Sequence, residues 1–167
     1  MFALRCTQKL LKRMKTPLVD DPARSTTLLG DWYANLVIVG RQQLVLCCCE
    51  RTYLPVVIEA RDIHGLVPRL NIALLKVLVS LGVPNAAVDE ELTAMEEVIV
   101  ARTASKVVIG VMNEYGYMMS GEHHTNLVEL SLELAHTPLF ASTSRCLWPD
   151  EATRAAFAVP RTTDLIH

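Results

Sequence analysis

The chain has 167 residues, of which 51% are hydrophobic and 20% charged, and its formal net charge is -2. These values exclude a disordered chain, and they exclude the strongly basic balance of a dedicated nucleic-acid coat protein. The length suits one domain with its own core, so we predict a single domain over residues 1–167. Positive charge is concentrated at the start, because residues 1–24 hold six Lys or Arg side chains against two Asp.

The cysteine pattern and the first residues bear on the compartment. The number of cysteines is odd, and they lack the C-x-x-C spacing of zinc and redox sites: Cys6, Cys47, Cys48, Cys49 and Cys146. Adjacent cysteines in a strand point to opposite faces, so the triplet cannot direct three thiolates at one ion. The opening segment resembles neither a signal peptide nor a membrane span, because charges interrupt its apolar positions. We therefore predict a reduced, metal-free cytoplasmic protein, bacterial or archaeal, with no cofactor and no membrane partner.

The first third of the chain predicts four strands and one short helix. The stretch "MFALRCT" alternates as a half-buried strand does, and "QKLLKRMK" follows as a basic helix before a loop rich in Pro, Asp and Ser. Two strands, "GDWYANLVIVG" and "RQQLVLCCCE", are joined by a turn at Gly40 and Arg41. A third strand, "YLPVVIEA", completes an antiparallel meander, and Pro55 favours an edge position for it.

The remaining elements are mostly helical. Apolar spacing predicts a helix over 66–82, with Pro68 in its first turn and Gly82 as its stop. A second helix, "NAAVDEELTAMEE", is acidic, and we interpret its charges as a solvated face. The stretch "EVIVART" predicts a fifth strand. Helices over 105–120, with Ser105 as N-cap, and over 125–136 follow, and residues 138–167 form a less regular, at most briefly helical, C-terminal tail.

Together these elements predict an α+β fold, with a mainly antiparallel sheet of about five strands packed by three to four helices. We expect the helices to cover one side of the sheet and to share one contiguous core with it. Nine apolar side chains are predicted in that core: Trp32, Leu36, Leu46, Val57, Leu70, Leu74, Val100, Val108 and Met112.

Four blocks occur in the order of a known family pattern: "LRCTQKLLKRM", "LGDWYANL", "ERTYLPVV" and "KVVIGVMNE". They resemble a small prokaryotic group, domain-of-unknown-function family 6933, over roughly residues 2–135. In the last block the family pattern has an arginine where this chain has Lys106, and an aspartate where it has Glu114. Cys49 stands where the family pattern has an asparagine. The resemblance implies no activity, because the family is uncharacterised.

The last of these blocks carries a polar stripe. On a helix, Lys106, Gly110, Asn113 and Tyr117 follow i, i+4, i+7 and i+11 and share one face, with Glu114 about one hundred degrees from Asn113. A helical glycine costs about 1 kcal/mol relative to alanine, so a compensating role is expected.

Two interpretations of the stripe remain open. In the packing interpretation, Gly110 and Gly116 let the helix press on the sheet while Asn113 satisfies a buried backbone group. In the binding interpretation, Ser105, Lys106 and the free N–H groups of the first turn face a phosphate or carboxylate.

Two other segments offer polar candidates. Arg5 and Thr7 share one strand face, and Lys9 follows on the basic helix, which suits contact with a phosphate backbone; the alternative is ordinary solvated lysines. Asp31 and Asn35 share one face of the next strand and could line a groove, although Asp31 could equally shape a turn with the preceding glycine.

The sequence contains no nucleophile elbow, Walker loop or dinucleotide fingerprint, so no catalytic residue is assigned. The leading interpretation is a small cytosolic binding or regulatory module with a polar groove for a phosphate-bearing partner such as nucleic acid. The predicted binding residues are Arg5, Thr7, Lys9, Asp31, Asn35, Lys106, Asn113 and Glu114. One alternative is a metal-independent nuclease or toxin-like hydrolase, with Glu114 as base. The other is a protein-interaction subunit or homodimer without a ligand.

Overall fold

One five-stranded sheet and six α-helices form within residues 1–121, 123–140 and 146–158, which the computed structural model describes. The strands are β1 (Phe2–Cys6), β2 (Trp32–Val39), β3 (Gln42–Cys49), β4 (Pro55–Glu59) and β5 (Val98–Arg102). The helices are α1 (Gln8–Met14), α2 (Leu66–Ser80), α3 (Asn85–Ala94), α4 (Lys106–Met119), α5 (Leu127–Ala135) and α6 (Pro149–Ala158). A short 3-10 turn, Ile63–Gly65, leads into α2.

The sheet is mixed, with the strand order β4-β3-β2-β1-β5. The predicted antiparallel meander of β2, β3 and β4 is confirmed, and β4 is the edge strand that begins with Pro55. β1, however, lies between β2 and β5 and runs parallel to both, so the prediction of a mainly antiparallel sheet is wrong at these two pairings. The alternation of apolar and polar side chains in β1 is compatible with parallel and with antiparallel pairing. The helical connections between the strands decide which of the two forms.

Helices cover both faces of the sheet, which corrects the prediction of a one-sided arrangement. On the first face, α1, α2 and α3 pack on the even-numbered side chains of β1 and β2. On the second face, α4 packs on β2 and β3. α5 lies along β4, where the Val57 N–H donates to the Ser131 Oγ at 2.9 Å and so covers that sheet edge.

The apolar side chains therefore form two clusters instead of one core. All nine predicted core residues are buried, but they divide between the faces. The first cluster holds Trp32, Leu36, Leu70, Leu74 and Val100, and the second holds Leu46, Val57, Val108 and Met112. The reason is visible in β3, whose last six residues, 44–49, are all buried, as in a strand covered on both faces.

The helix predictions are largely confirmed, but six helices replace the expected three to four. α2 is followed by Gly82 at a φ of 84°, as a C-terminal glycine stop requires. At the start of α4, the Ser105 Oγ accepts the Val108 N–H at 3.3 Å, which is the predicted N-cap. Helix α6 occupies part of the predicted C-terminal tail, and residues 141–145 and 159–167 of that tail lie outside the described part of the chain.

One acid of α3 corrects the interpretation of its charges as a solvated face. Glu91 is buried, and its carboxylate accepts the N–H groups of Leu28 at 2.8 Å and Leu29 at 3.0 Å. Asp89 and Glu96 on the same segment are exposed, as predicted. Glu91 thus ties the loop before β2 to α3.

The cysteines follow the predicted strand geometry. Cys47 and Cys49 lie in the first cluster and Cys48 lies in the second, and all five cysteines of the chain are free thiols. Burial raises the pKa of the Cys6 thiol to about 12 and also raises the pKa of each thiol in the triplet. These four thiols are therefore protonated near neutral pH and offer no thiolate nucleophile.

The stretch Ile63–Ser80 is long and apolar enough, by length and composition, to cross a membrane. In the structure it comprises the 3-10 turn and α2, which lies along the first face of the sheet. The inner side of α2 is buried at Leu66, Leu70, Leu74, Val77 and Leu78.

Candidate functional site

Two of the predicted binding residues, Arg5 and Asp31, are paired with each other. The Arg5 Nε donates to the Asp31 Oδ2 at 3.0 Å, and the Asp31 Oδ1 accepts the Ala3 N–H at 3.0 Å. The Arg5 Nη1 also donates to the Arg102 carbonyl at 3.1 Å. The carboxylate therefore joins the start of β2 to β1, and the positive charge of Arg5 is balanced within the fold.

Thr7 and Asn35 are likewise engaged with each other, because the Thr7 Oγ1 donates to the Asn35 Oδ1 at 2.7 Å. Both side chains are partly exposed, so the pair lies at the surface near the ends of β1 and α1.

The polar stripe of α4 faces outward. Lys106 and Asn113 are exposed, and Tyr117 is 80% exposed. In the described part of the chain, a Cβ built at Gly110 or Gly116 would meet no atom of another element within 4 Å. The packing interpretation is therefore wrong for the two glycines, since neither lies against the sheet. The exposed Asn113 side chain makes no hydrogen bond among those of the described residues.

The start of α4 is less open to an anion than predicted. The Ser105 N–H donates to the Tyr33 hydroxyl at 3.0 Å, and the Val108 N–H is taken by the N-cap. Glu114, farther along the helix, is half-buried, and its enclosed Oε2 has no hydrogen-bond partner among the described residues. A buried carboxylate oxygen without a partner is costly. No described hydrogen bond joins Glu114 to Arg5 or Lys106, the two cations that the hydrolase alternative would place beside it.

The sheet separates the predicted binding residues. Lys9 belongs to α1, which packs on the first face, whereas Lys106 and Asn113 belong to α4 on the second face. The structure thus pairs Arg5 with Asp31 and Thr7 with Asn35, and does not gather the predicted residues into one groove. Contact of any of them with a ligand stays a prediction.

The open stripe gives a direct test of its role in stability. Gly110→Ala should raise the free energy of unfolding by about 0.5 to 1 kcal/mol, because alanine favours the helix and the added Cβ meets open space. Asn113→Ala should change it by less than about 0.5 kcal/mol. Urea denaturation measures both.

Gly82→Ala is the matched control, since its Cβ also meets open space but its φ of 84° disfavours alanine, so this variant should lose stability. A loss of about 1 to 3 kcal/mol in Asn113→Ala would show that the side chain satisfies a buried group after all.

A second surface, which the sequence interpretation missed, gathers positive charge. A hollow of about 440 Å³ lies between α2, β4 and the start of α5, and a second of about 720 Å³ lies at the β2–β3 turn. The two hollows share Glu59, Arg61 and Thr125 in their walls, so they adjoin each other. We call them together the basic groove. Its charged Lys, Arg and acidic residues are Arg13, Arg41, Glu59, Arg61, Arg69 and Lys76.

The charges in the basic groove are mostly uncompensated. Arg61 pairs with Glu59 at 2.6 Å. No other cation of the basic groove takes part in the ion pairs of the described residues. Arg13 donates to the neutral Gln43 Oε1 at 2.8 Å. Arg69 donates to backbone carbonyls, including that of Asp62 at 2.7 Å, and it takes part in none of the ion pairs of the described residues. The Lys, Arg and acidic side chains of the groove are five cations and one acid, whereas the whole chain has a net charge of -2.

The meander explains how these residues come together. The antiparallel register pairs Leu44 with Glu59, so the turn that contains Arg41 lies at the same end as Arg61. Arg13 in the last turn of α1 reaches that end from the first face, through its bond to Gln43. The antiparallel pairing of β3 with β4 was predicted from the sequence. Following that pairing beyond the end of β4 would have placed Arg41 near Arg61. The contributions of α1 and α2 depend on tertiary packing.

The comparison with protein families decides the relationship that the sequence blocks suggested. A family model for a domain of unknown function, DUF6933, matches residues 3–152. The chain belongs to the DUF6933 family. The match includes every charged residue of the basic groove and both members of the Arg5–Asp31 pair. The chain matches no curated protein and no solved structure. Membership in DUF6933 therefore confirms the resemblance and brings no function with it.

Proposed function

We propose that the protein is a small cytosolic binding module that holds a phosphate-bearing partner in the basic groove. The observation that supports this proposal is the one-sided charge of the two adjoining hollows, whose walls hold five Lys or Arg side chains and one glutamate. Four of these cations have no carboxylate partner among the described ion pairs. Uncompensated cations in a concave surface attract an anion strongly, because low-dielectric walls focus the field.

The types of side chain favour phosphate over a single carboxylate. Arginine presents a planar fork of donors that matches phosphate oxygens, and four of the five cations are arginines. The fork of Arg69 is engaged with backbone carbonyls, so Arg69 contributes mainly charge. Neutral amide side chains lie beside them, since Gln43 lines the larger hollow and Asn126 lines the smaller one.

The test measures binding of fluorescein-labelled mixed-sequence RNA and DNA at about 50 and about 200 mM salt. Arg41→Ala should weaken binding to every sequence and reduce the salt slope by about 0.7 to 0.9, the value expected for one lost phosphate contact. Lys106→Ala is the matched control, because it removes an exposed cation from the second face, and it should leave binding unchanged.

Weakening by Lys106→Ala but not by Arg41→Ala would place the ligand on α4 and overturn the groove assignment. If the parent protein binds neither nucleic acids nor inorganic polyphosphate at the lower salt concentration, the proposed function is wrong.

A further inference from the structure

The outer face of α2 carries an apolar ridge of three exposed side chains. Ile72, Leu75 and Val79 are 55%, 38% and 49% exposed. They follow i, i+3 and i+7, so they lie along one side of the helix. Contiguous exposed aliphatic side chains on a protein surface commonly mark a contact with a partner.

The α2 ridge borders the basic groove. Ile72 lines the smaller hollow together with Arg69 and Lys76 of the same helix. These two cations are seven residues apart, about 10 Å along the helix axis. Apolar surface and positive charge thus run side by side along α2, and the charge continues through Arg61 into the larger hollow.

We propose that the phosphate-bearing partner is an unpaired nucleic-acid strand, with its phosphates along the cations of the groove and its bases against the α2 ridge. This inference rests on the proposed function. A single strand exposes the apolar faces of its bases, whereas a duplex hides them by stacking and would leave the ridge in water.

The lining of the groove also bears on selectivity and ligand size. Its cations are distributed over two adjoining hollows, so a mononucleotide, with its phosphates at one end, would leave part of the charge unused. The ridge is aliphatic and offers no hydrogen bonds to base edges, so binding should depend little on base sequence.

The test compares five probes by fluorescence anisotropy and competition: single strands of about twelve uridines or twelve thymidines, a duplex of the same length, ATP, and an acidic peptide. The single strands should bind at least about tenfold more tightly than the duplex and than ATP. Ile72→Ser should weaken strand binding several-fold with an unchanged salt slope, because it removes no charge. Lys76→Ala should reduce that slope by about 0.7.

Val107→Ser is the control for Ile72→Ser, since Val107 is a similarly exposed aliphatic residue on α4, and it should leave binding unchanged. Equal binding of strand and duplex, displacement by ATP at equal affinity, or normal binding by Ile72→Ser would overturn the strand inference and leave the proposed function standing. Tighter binding of an acidic peptide than of any nucleic acid would overturn the strand inference and show that the partner of the groove is a protein. If no phosphate-bearing probe binds, both proposals fail.

Discussion

Replacing Asp31 by alanine should lower the free energy of unfolding by about 3 to 5 kcal/mol, the usual result of removing one partner of a buried ion pair. The side chains of Arg5 and Asp31 are 18% and 8% exposed, so the guanidinium left behind would lose its counter-ion with little water to replace it. The Ala3 N–H would lose its acceptor as well. Urea denaturation followed by circular dichroism measures the loss.

Two variants separate these contributions. Asp31→Asn keeps an oxygen that can accept the Ala3 N–H but removes the charge, so it should lose less stability than Asp31→Ala. The double variant Arg5→Met, Asp31→Leu removes both charges and should be more stable than Asp31→Ala alone. Asp20→Ala, in the exposed loop before β2, is the control and should be nearly neutral. An unchanged unfolding midpoint in Asp31→Ala would show that the pair does not support the sheet.

Truncating Leu74 to alanine should cost about 2 to 5 kcal/mol, because the lost methyl groups leave a cavity in a close-packed region. Leu74 is fully buried in the first cluster, between α2 and the sheet. A domain of this size has about 5 to 15 kcal/mol of stability in total, so the variant should melt well below the parent protein.

Leu75→Ala provides the matched control, since it removes the same atoms from the adjacent residue on the outer face of α2. Its cost should be clearly smaller, because 38% of Leu75 is already exposed and its truncation leaves no closed cavity. Equal losses in the two variants would contradict the assignment of the inner and outer faces of α2.

The candidate site was harder to predict than the elements that carry it. Lys106 and Asn113 share the exposed face that helical spacing predicted, because that face depends only on positions within one helix. Lys9 was grouped with them by charge, yet the sheet separates α1 from α4. The basic groove escaped prediction for the complementary reason, since Arg13, Arg61 and Lys76 lie far apart in the chain and no motif joins them.

Local sequence patterns were sufficient to predict the strands and helices and the faces that their side chains occupy. Alternation defined the strands of the meander, and the 3.6-residue period with Ser105 and Gly82 at helix ends defined α4 and α2. These signals are local because they arise from backbone hydrogen bonding and from the direction of successive Cβ atoms. The same property made the opposite faces of Cys47 and Cys48 predictable.

Tertiary structure alone decided how these elements combine. An alternating strand such as β1 pairs equally well in either direction, so its parallel pairing with β2 and β5 depended on the path of the chain through α1 and the later helices. The division into two apolar clusters followed from covering both faces of β2 and β3. The same packing buried Glu91 against the Leu28 and Leu29 amides and brought the groove cations together, because long-range contacts leave no periodic trace in the sequence.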